Sequence, residues 1–378
     1  MPSSSRASGD GSPSMPESSD RRPAANGQVP GEAGPSPAWQ RRRERLLLPS
    51  KALRLLRETG ADSDWELRGL VAITPVKEWP ERRLTVRYLA LARQAGQRTR
   101  PLVLYGKLYR GSGGERSLAV LRALRAQIGS GCDLPDPLGY LARRRFLLMT
   151  GLEGVSLAEA CAGPGAVSQV ARAGSALASF HGAPGLAEGA QRGQSPWPRH
   201  SREAELAVLE EAKERVARSE LAESLRCLYA ETARAAAGVL AALPEGPAVT
   251  LHRDLYPDQI ILSAARVGLI DLDAVALGEA ELDLGNLAAH LWLADLQTHG
   301  RLAAAPGLAS ALLAAYGETQ AIDRRRLASY RAAALLRLAS LERLAAPARS
   351  VLPWPQLAGR LIQEARAALA SEYVSGRR

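Results

Sequence analysis

Between Val249 and Leu291 the chain reads VTLHRDLYPDQIILSAARVGLIDLDAVALGEAELDLGNLAAHL, setting seven Asp and Glu residues among apolar runs in a protein whose net charge is +10. His252 and Asp254 follow the apolar run VTL, Asp271 closes the run VGLI, and Gln259 comes five residues after Asp254. Strand, loop, strand, turn, strand is a way to hold two carboxylates, 17 positions apart in sequence, at one mouth. Phosphoryl transfer needs such a pair: one carboxylate within reach of an attacking hydroxyl, and oxygen ligands for a Mg²⁺ ion that bridges nucleotide phosphates. Asp254 suits the first task and Asp271 the second, with the Gln259 amide oxygen available to the metal. The alternative is that these residues only cap turns and bond backbone amides, and Asp273 stands evenly between the two readings.

The elements that must position them follow from periodicity. ELRGLVAITPV, RLTVRYLALA and PLVLYGKLYR are β-branched or alternating runs separated by turn-rich segments, which predicts a meander of three strands. From Glu115, ERSLAVLRALRAQIG has helical spacing, and PLGYLARR and RFLLMTGL are two further strands. After the GLEG of residues 151–154 the character becomes helical, including a long charged helical segment from about Ser201 to Leu243. Upstream, RERLLLPSKALRLLRETG reads as helical with Gly60 as its stop. The expected fold class is α+β and bilobal: a β-rich lobe over residues 39–150, then a helical lobe over 151–378 that carries the loop 249–273, with a hinge near Met149 to Gly154. Residues 1–38, rich in Ser, Pro, Gly and Ala, bury too little apolar surface to order themselves and are expected to be a disordered tail.

Composition limits the alternatives. A chain of 378 residues, 46% hydrophobic, can bury a large core. Cys132, Cys161 and Cys227 are far apart and form no CxxC pair, as expected of reduced thiols in a cytoplasmic protein. The positive charge is mostly arginine; the dense cluster RRRER at Arg41–Arg45 has no interleaved stacking aromatics, which argues against nucleic acid as a partner. No uninterrupted stretch approaches the ~20 apolar residues of a membrane span, and no signal or transit segment is evident.

HRDLYPDQ followed by LIDLDAVALGEAELDLGNLAAHL resembles the aminoglycoside phosphotransferase family, protein-kinase relatives that phosphorylate small molecules, and in particular a branch with glutamine in the catalytic loop. The match rests on His252, Asp254, Asp271, Gly278, Asp283 and Leu284, and the lobe order agrees over residues 45–345. The resemblance implies a protein-kinase-like bilobal fold, ATP and Mg²⁺ as cofactors, and a small-molecule hydroxyl as acceptor. It makes Asp254 the catalytic base and Asp271, with Gln259, the metal ligands, while His252 and Asp283 brace the loop. His181, in LASFHGAP, is taken as structural. In LVLYGKLY it makes Lys107 the contact to the α- and β-phosphates, with Glu115 on the next helix as its expected partner unless that acid only complements the helix dipole. Backbone groups near Met149 to Leu152 would receive the nucleobase.

Two departures are visible. Gln259 replaces an asparagine and pushes the amide one methylene further out, and no GxGxxG lies between the first two strands. The first supplies a rival reading, a catalytically inactive kinase-like module that binds nucleotide or a partner. For the acceptor, residues 300–378 hold twelve arginines against five acids, a poor lining for a polycationic aminoglycoside, so a sugar or other neutral metabolite is expected. The oligomeric state leaves no sequence signal.

Overall fold

The structure is a computed structural model that describes residues 35–60, 63–183 and 197–375; the expected tail, apart from its last few residues, lies outside them. The first helix starts at Pro37, inside the span read as tail. Ser36 caps helix α1 (Pro37–Leu47) by accepting a hydrogen bond from the Trp39 N–H, with Pro37 pre-set for the first turn, and the Trp39 ring is buried. The single upstream helix read from the sequence is two helices. Pro49 forces Leu48 into extended backbone, so α1 ends there and α2 (Pro49–Thr59) starts afresh, stopping at Gly60 as expected.

A five-stranded antiparallel sheet follows in the order β1-β2-β3-β5-β4, with β1 (Trp65–Trp79), β2 (Arg83–Gln94), β3 (Arg100–Tyr109), β4 (Pro137–Leu141) and β5 (Phe146–Thr150). Pro75 sits in β1, which is tolerated because β1 is the edge strand and its register shifts there. Alternation divides the sheet's faces. Leu84, Val86, Tyr88, Leu104, Leu108, Phe146 and Leu148 form one core with α1 and α2, whereas Tyr109, Leu147 and Met149 belong to the core of the helical lobe. Gly106 is required between them: a Cβ there would lie 2.4 Å from the Phe146 ring. Helix α3 (Gly113–Gln127) connects β3 to β4.

From Pro35 onward the chain is one compact unit. Beyond β5 come β6 (Val155–Ser156), the short α4 (Leu157–Cys161) with its Ser156–Glu159 capping box, and α5 (Ala166–His181). The long charged segment is two helices, α6 (Arg202–Ala217) and α7 (Glu223–Ala242). Four short strands then carry the loop: β7 (Ala248–Leu251), β8 (Ile260–Leu262), β9 (Val267–Leu269) and β10 (Ala276–Glu279). β7 pairs with β10, a strand the sequence reading lacks, while β8 pairs with β6 on one side and β9 on the other. Helices α8 (Glu281–His299), α9 (Ala305–Gly317), α10 (Arg324–Ala339) and α11 (Trp354–Ser375) complete the lobe. α8 is buried on nearly all sides, as befits a central helix, and its buried Asp283, Asn286 and Asp295 are polar exceptions that each have partners.

Candidate active site

The loop between β7 and β8 is pinned by one carboxylate. Asp283 is fully buried at the start of α8 and accepts the backbone N–H of His252 at 2.6 Å and of Arg253 at 2.7 Å. Its Oδ2 also lies 3.1 Å from His181 Nε2, whose other ring nitrogen meets the Tyr316 hydroxyl at 2.9 Å. These contacts hold Arg253 in left-handed backbone, φ 71°, a conformation that L-residues adopt only where the surroundings dictate it. His252 is buried and donates from Nε2 to the Ile270 carbonyl at 2.8 Å, tying this loop to the chain entering Asp271. One turn further along α8, Asn286 donates to the Leu255 carbonyl at 2.7 Å. Asp254, framed by these bonds, is itself exposed.

A second glycine position explains itself here. A Cβ on Gly278 would come within 2.6 Å of Leu251 and 2.9 Å of the His200 carbonyl, so β10 approaches β7 closely only with glycine there.

Asp271, also left-handed at φ 61°, faces the front of the five-stranded sheet. Lys107 on β3 donates to its Oδ1 at 2.6 Å and to Asp273 Oδ2 at 3.1 Å. Arg83, at the start of β2, reaches Asp273 at 2.7 Å and Asp271 at 3.7 Å. The other oxygen of Asp273 accepts from the Ser117 hydroxyl at 2.8 Å and the Tyr109 hydroxyl at 3.1 Å. Burial alone would push the Lys107 ammonium down, but Asp273 and Asp271 overcome it and hold the ammonium above its ordinary range. Burial likewise favours a neutral Asp271, and Lys107 and Arg83 reverse it, keeping that carboxyl well below the usual carboxylate range.

The structure therefore brings Lys107 and Asp271 together and sets Asp254 on the neighbouring loop. Glu115 is not brought in: it is exposed in the first turn of α3 and makes no ion pair with Lys107 among the described residues. The place expected for it is taken by Asp273, while α3 contributes Ser117, half a turn further on and on the helix's buried face. Gln259 is buried at the end of the loop with its backbone carbonyl bonded to the Ile270 N–H, and both atoms of its side-chain amide lack a partner of good hydrogen-bond geometry among the described residues. Met149 is buried in the core and pairs with Tyr105 on β3, whereas Leu152, past the last strand, makes no backbone–backbone bond among the described residues. Arg83, Tyr109 and Ser117 were not singled out from the sequence. Register would have found the first two, because Thr85 lies opposite Lys107 and Arg83 opposite Tyr109, placing all four on one face.

This architecture, a small antiparallel sheet over a helical body with a lysine and an aspartate facing each other between them, is that of the kinase-like phosphotransferases. A family model described as the phosphotransferase enzyme family matches residues 93–370, and the chain belongs to that family; it is a phosphotransferase that acts on hydroxyl groups. Solved structures agree in fold. A choline/ethanolamine kinase family protein from Mesorhizobium loti is 17% identical with a TM-score of 0.51, covering 87% of this chain and 94% of that one. The GDP complex of a wild-type aminoglycoside 2'-phosphotransferase is 14% identical with a TM-score of 0.52, covering 79% and 93%. An amicoumacin kinase bound to AMP-PNP and Ca²⁺ is 13% identical with a TM-score of 0.53, covering 78% and 88%. No curated protein matches the chain. No helix among the described residues is long and apolar enough to cross a membrane.

Proposed function

We propose that the protein transfers the γ-phosphoryl group of ATP, with Mg²⁺, to a hydroxyl of a small metabolite such as a sugar. The observation that carries this reading is the meeting of Lys107 and Asp271, 164 residues apart in sequence, at 2.6 Å between the two layers and beside the loop of Asp254. The donor set fits a hard divalent ion. Asp271 offers carboxylate oxygen, and the Gln259 amide is buried without a good partner on the adjoining chain, as an oxygen reserved for a ligand would be. No group of three or more His, Cys, Asp and Glu residues converges among the described residues, so nucleotide phosphate oxygens would have to complete the shell. When bound, the ion neutralises charge on the phosphates.

The chain's own residues do the rest. Lys107 turns from the carboxylates to the α- and β-phosphates, where a compact ammonium serves as a point charge. Asp254 accepts the acceptor's proton as the new oxygen–phosphorus bond forms and the bond from the γ-phosphorus to the bridging oxygen breaks, leaving ADP. Asp283 and His252 hold Asp254 in place through the backbone. Backbone groups near Met149 to Leu152 receive the nucleobase, and Leu152, with no backbone–backbone bond among the described residues, can pair with it. An aminoglycoside acceptor is disfavoured by the twelve arginines against five acids over residues 300–378.

Calorimetric titration of MgATP tests this reading, with slow ATP turnover in a mixed metabolite pool alongside. Metal-dependent binding that is lost in Asp271→Asn, with turnover lost in Asp254→Asn, is the expected result; a wild-type chain that binds no nucleotide with or without metal overturns it.

A further inference from the structure

Arginines gather on α6, on α10 and in the turn after α10, and one of them is tied to the catalytic loop. Arg337 on α10 donates to Asn286 Oδ1 at 2.5 Å, and the same Asn286 amide donates to the Leu255 carbonyl at 2.7 Å, so the guanidinium is two hydrogen bonds from the residue next to Asp254. Arg215 on α6 reaches across to the Ser340 hydroxyl at the end of α10, at 2.6 Å. Arg343 lies in the turn that follows, and its guanidinium is pushed down by burial and by the like charges of Arg215, Arg337 and Arg349. Arg215 and Arg337 are half-buried and Arg343 is exposed, and none of the three forms an ion pair with a carboxylate among the described residues.

Like charges crowded at a partly desolvated surface repel one another, and protein cores usually relieve this with acids. Glu205, which feels both Arg337 and Arg253, is ion-paired with His200 at 3.0 Å. Next to these groups Tyr256 stacks on His290, ring centroids 5.4 Å apart, forming an apolar floor beside the loop. Guanidinium groups present planar forks that match the oxygens of carboxylates and phosphates, and Arg337 is tied through Asn286 to Leu255, the residue after Asp254.

We propose that the acceptor is a small hydroxyl compound carrying its own acid group, held by Arg337, Arg215 and Arg343 while its hydroxyl meets Asp254. The proposal rests on the phosphoryl-transfer reading and narrows it, from a sugar-like metabolite to one bearing a carboxylate or a phosphate ester.

The test uses the full chain, ATP labelled in its γ-phosphate, and equimolar sets of one neutral compound with its acid derivatives: a hexose, its uronic acid and its 6-phosphate; glycerol, glycerate and glycerol phosphate. The expected result is label transferred to an acid-bearing member in preference to its neutral parent by about 100-fold in kcat/KM, with the carboxylate and phosphate arms distinguishing the two sources of charge. In Arg337→Gln that preference collapses toward unity, and in the exposed Arg343→Gln it falls by about tenfold. Because the readout is a ratio between acceptors, partial damage to folding or to the loop leaves it unchanged. Transfer to neutral members as good as to their acids, a preference untouched in both variants, or nucleotide binding with no transfer to any acid-bearing member overturns the proposal. Absence of MgATP binding would instead overturn the phosphoryl-transfer reading beneath it.

Discussion

Two buried ion-pair clusters in this molecule have similar exposure and opposite consequences. In the helical lobe, Glu279 pairs with Arg202 at 2.5 Å and accepts bonds from the Gly246 N–H at 2.6 Å and the Tyr330 hydroxyl at 2.7 Å, each partner side chain in the ion pair being 9% exposed. In the cleft, Lys107 and Asp271 are 9% and 21% exposed. Burial does not separate the two; connectivity does. Every partner of Glu279 belongs to the helical body, and although Glu279 also lies 4.0 Å from Arg326, Arg202 has no second carboxylate among the described residues, so losing Glu279 leaves its charge without an acid. The cleft cluster draws its cations from β2 and β3 and its carboxylates from the chain after β9, and each charge has a second partner: Lys107 and Arg83 both touch Asp271 and Asp273. Such a cluster can exchange one partner for a metal or a phosphate and stay compensated. The lesson is that a site and a brace differ less in their residues than in whether their pairs are redundant.

Breaking each cluster separately gives the largest expected effects. Asp271→Asn should lower turnover on the order of 10³-fold, as loss of a preorganised electrostatic partner does, while Lys107 and Arg83 retain Asp273 and the chain loses only about 1 kcal/mol of stability. Steady-state kinetics and urea unfolding on the same preparation check both halves. Glu279→Gln should do the reverse: a loss of about 3–5 kcal/mol, because Arg202 is left buried and uncompensated, with the turnover of the folded fraction retained. If both variants lose stability equally, redundancy is not what distinguishes the clusters.

A subtler probe is acid. Burial first, and then Arg337, push the His290 imidazole down from 6.5 to about 3. Its folded pKa is therefore depressed. Above pH 6.5 both states are neutral and the residue contributes no pH dependence; between 6.5 and about 3 the unfolded chain takes up a proton that the folded chain refuses, so stability falls as pH falls. The slope from this one group approaches about 1.4 kcal/mol per pH unit. His290→Phe keeps a ring against Tyr256 and removes the titration, so its stability measured between pH 4 and 6.5 should be flatter than that of the wild type. Equal slopes would show that the imidazole is not excluded from charging.

What was legible in the sequence follows the same division. HRDLYPDQ and LIDLD sit where short strands end in loops, and local pattern is enough to read Asp254 and Asp271 as a pair. Lys107 stood out because a lysine in an apolar strand has no packing reason to be there. Strand count in the β-rich layer is readable from alternation, but the placing of β5 between β3 and β4 is not, and neither is β10, since ALGE has no strand signature and becomes a strand only by pairing with β7. The break at Pro49 is readable from the pre-proline restriction on Leu48. Arg83 and Ser117 join the site only through register and helix phase, and those are properties of the assembled sheet.

Glu115 gives the sharpest comparison because two acids compete for one role. As the only acid on α3, it was the natural partner for Lys107, yet helix phase turns it to solvent in the first turn, where it can complement the macrodipole. Asp273, two residues beyond Asp271, meets Lys107, Arg83, Tyr109 and Ser117 at once. The expectation is that Glu115→Gln changes turnover by no more than about twofold and stability by less than about 0.5 kcal/mol, as surface changes do. Asp273→Asn should cost more on both counts, because it leaves Asp271 alone to compensate two buried cations. A Glu115→Gln variant that loses turnover as heavily as Asp273→Asn would mean that α3 rotates to bring the glutamate inward when nucleotide binds, and the lysine's partner would then depend on the state of the cleft.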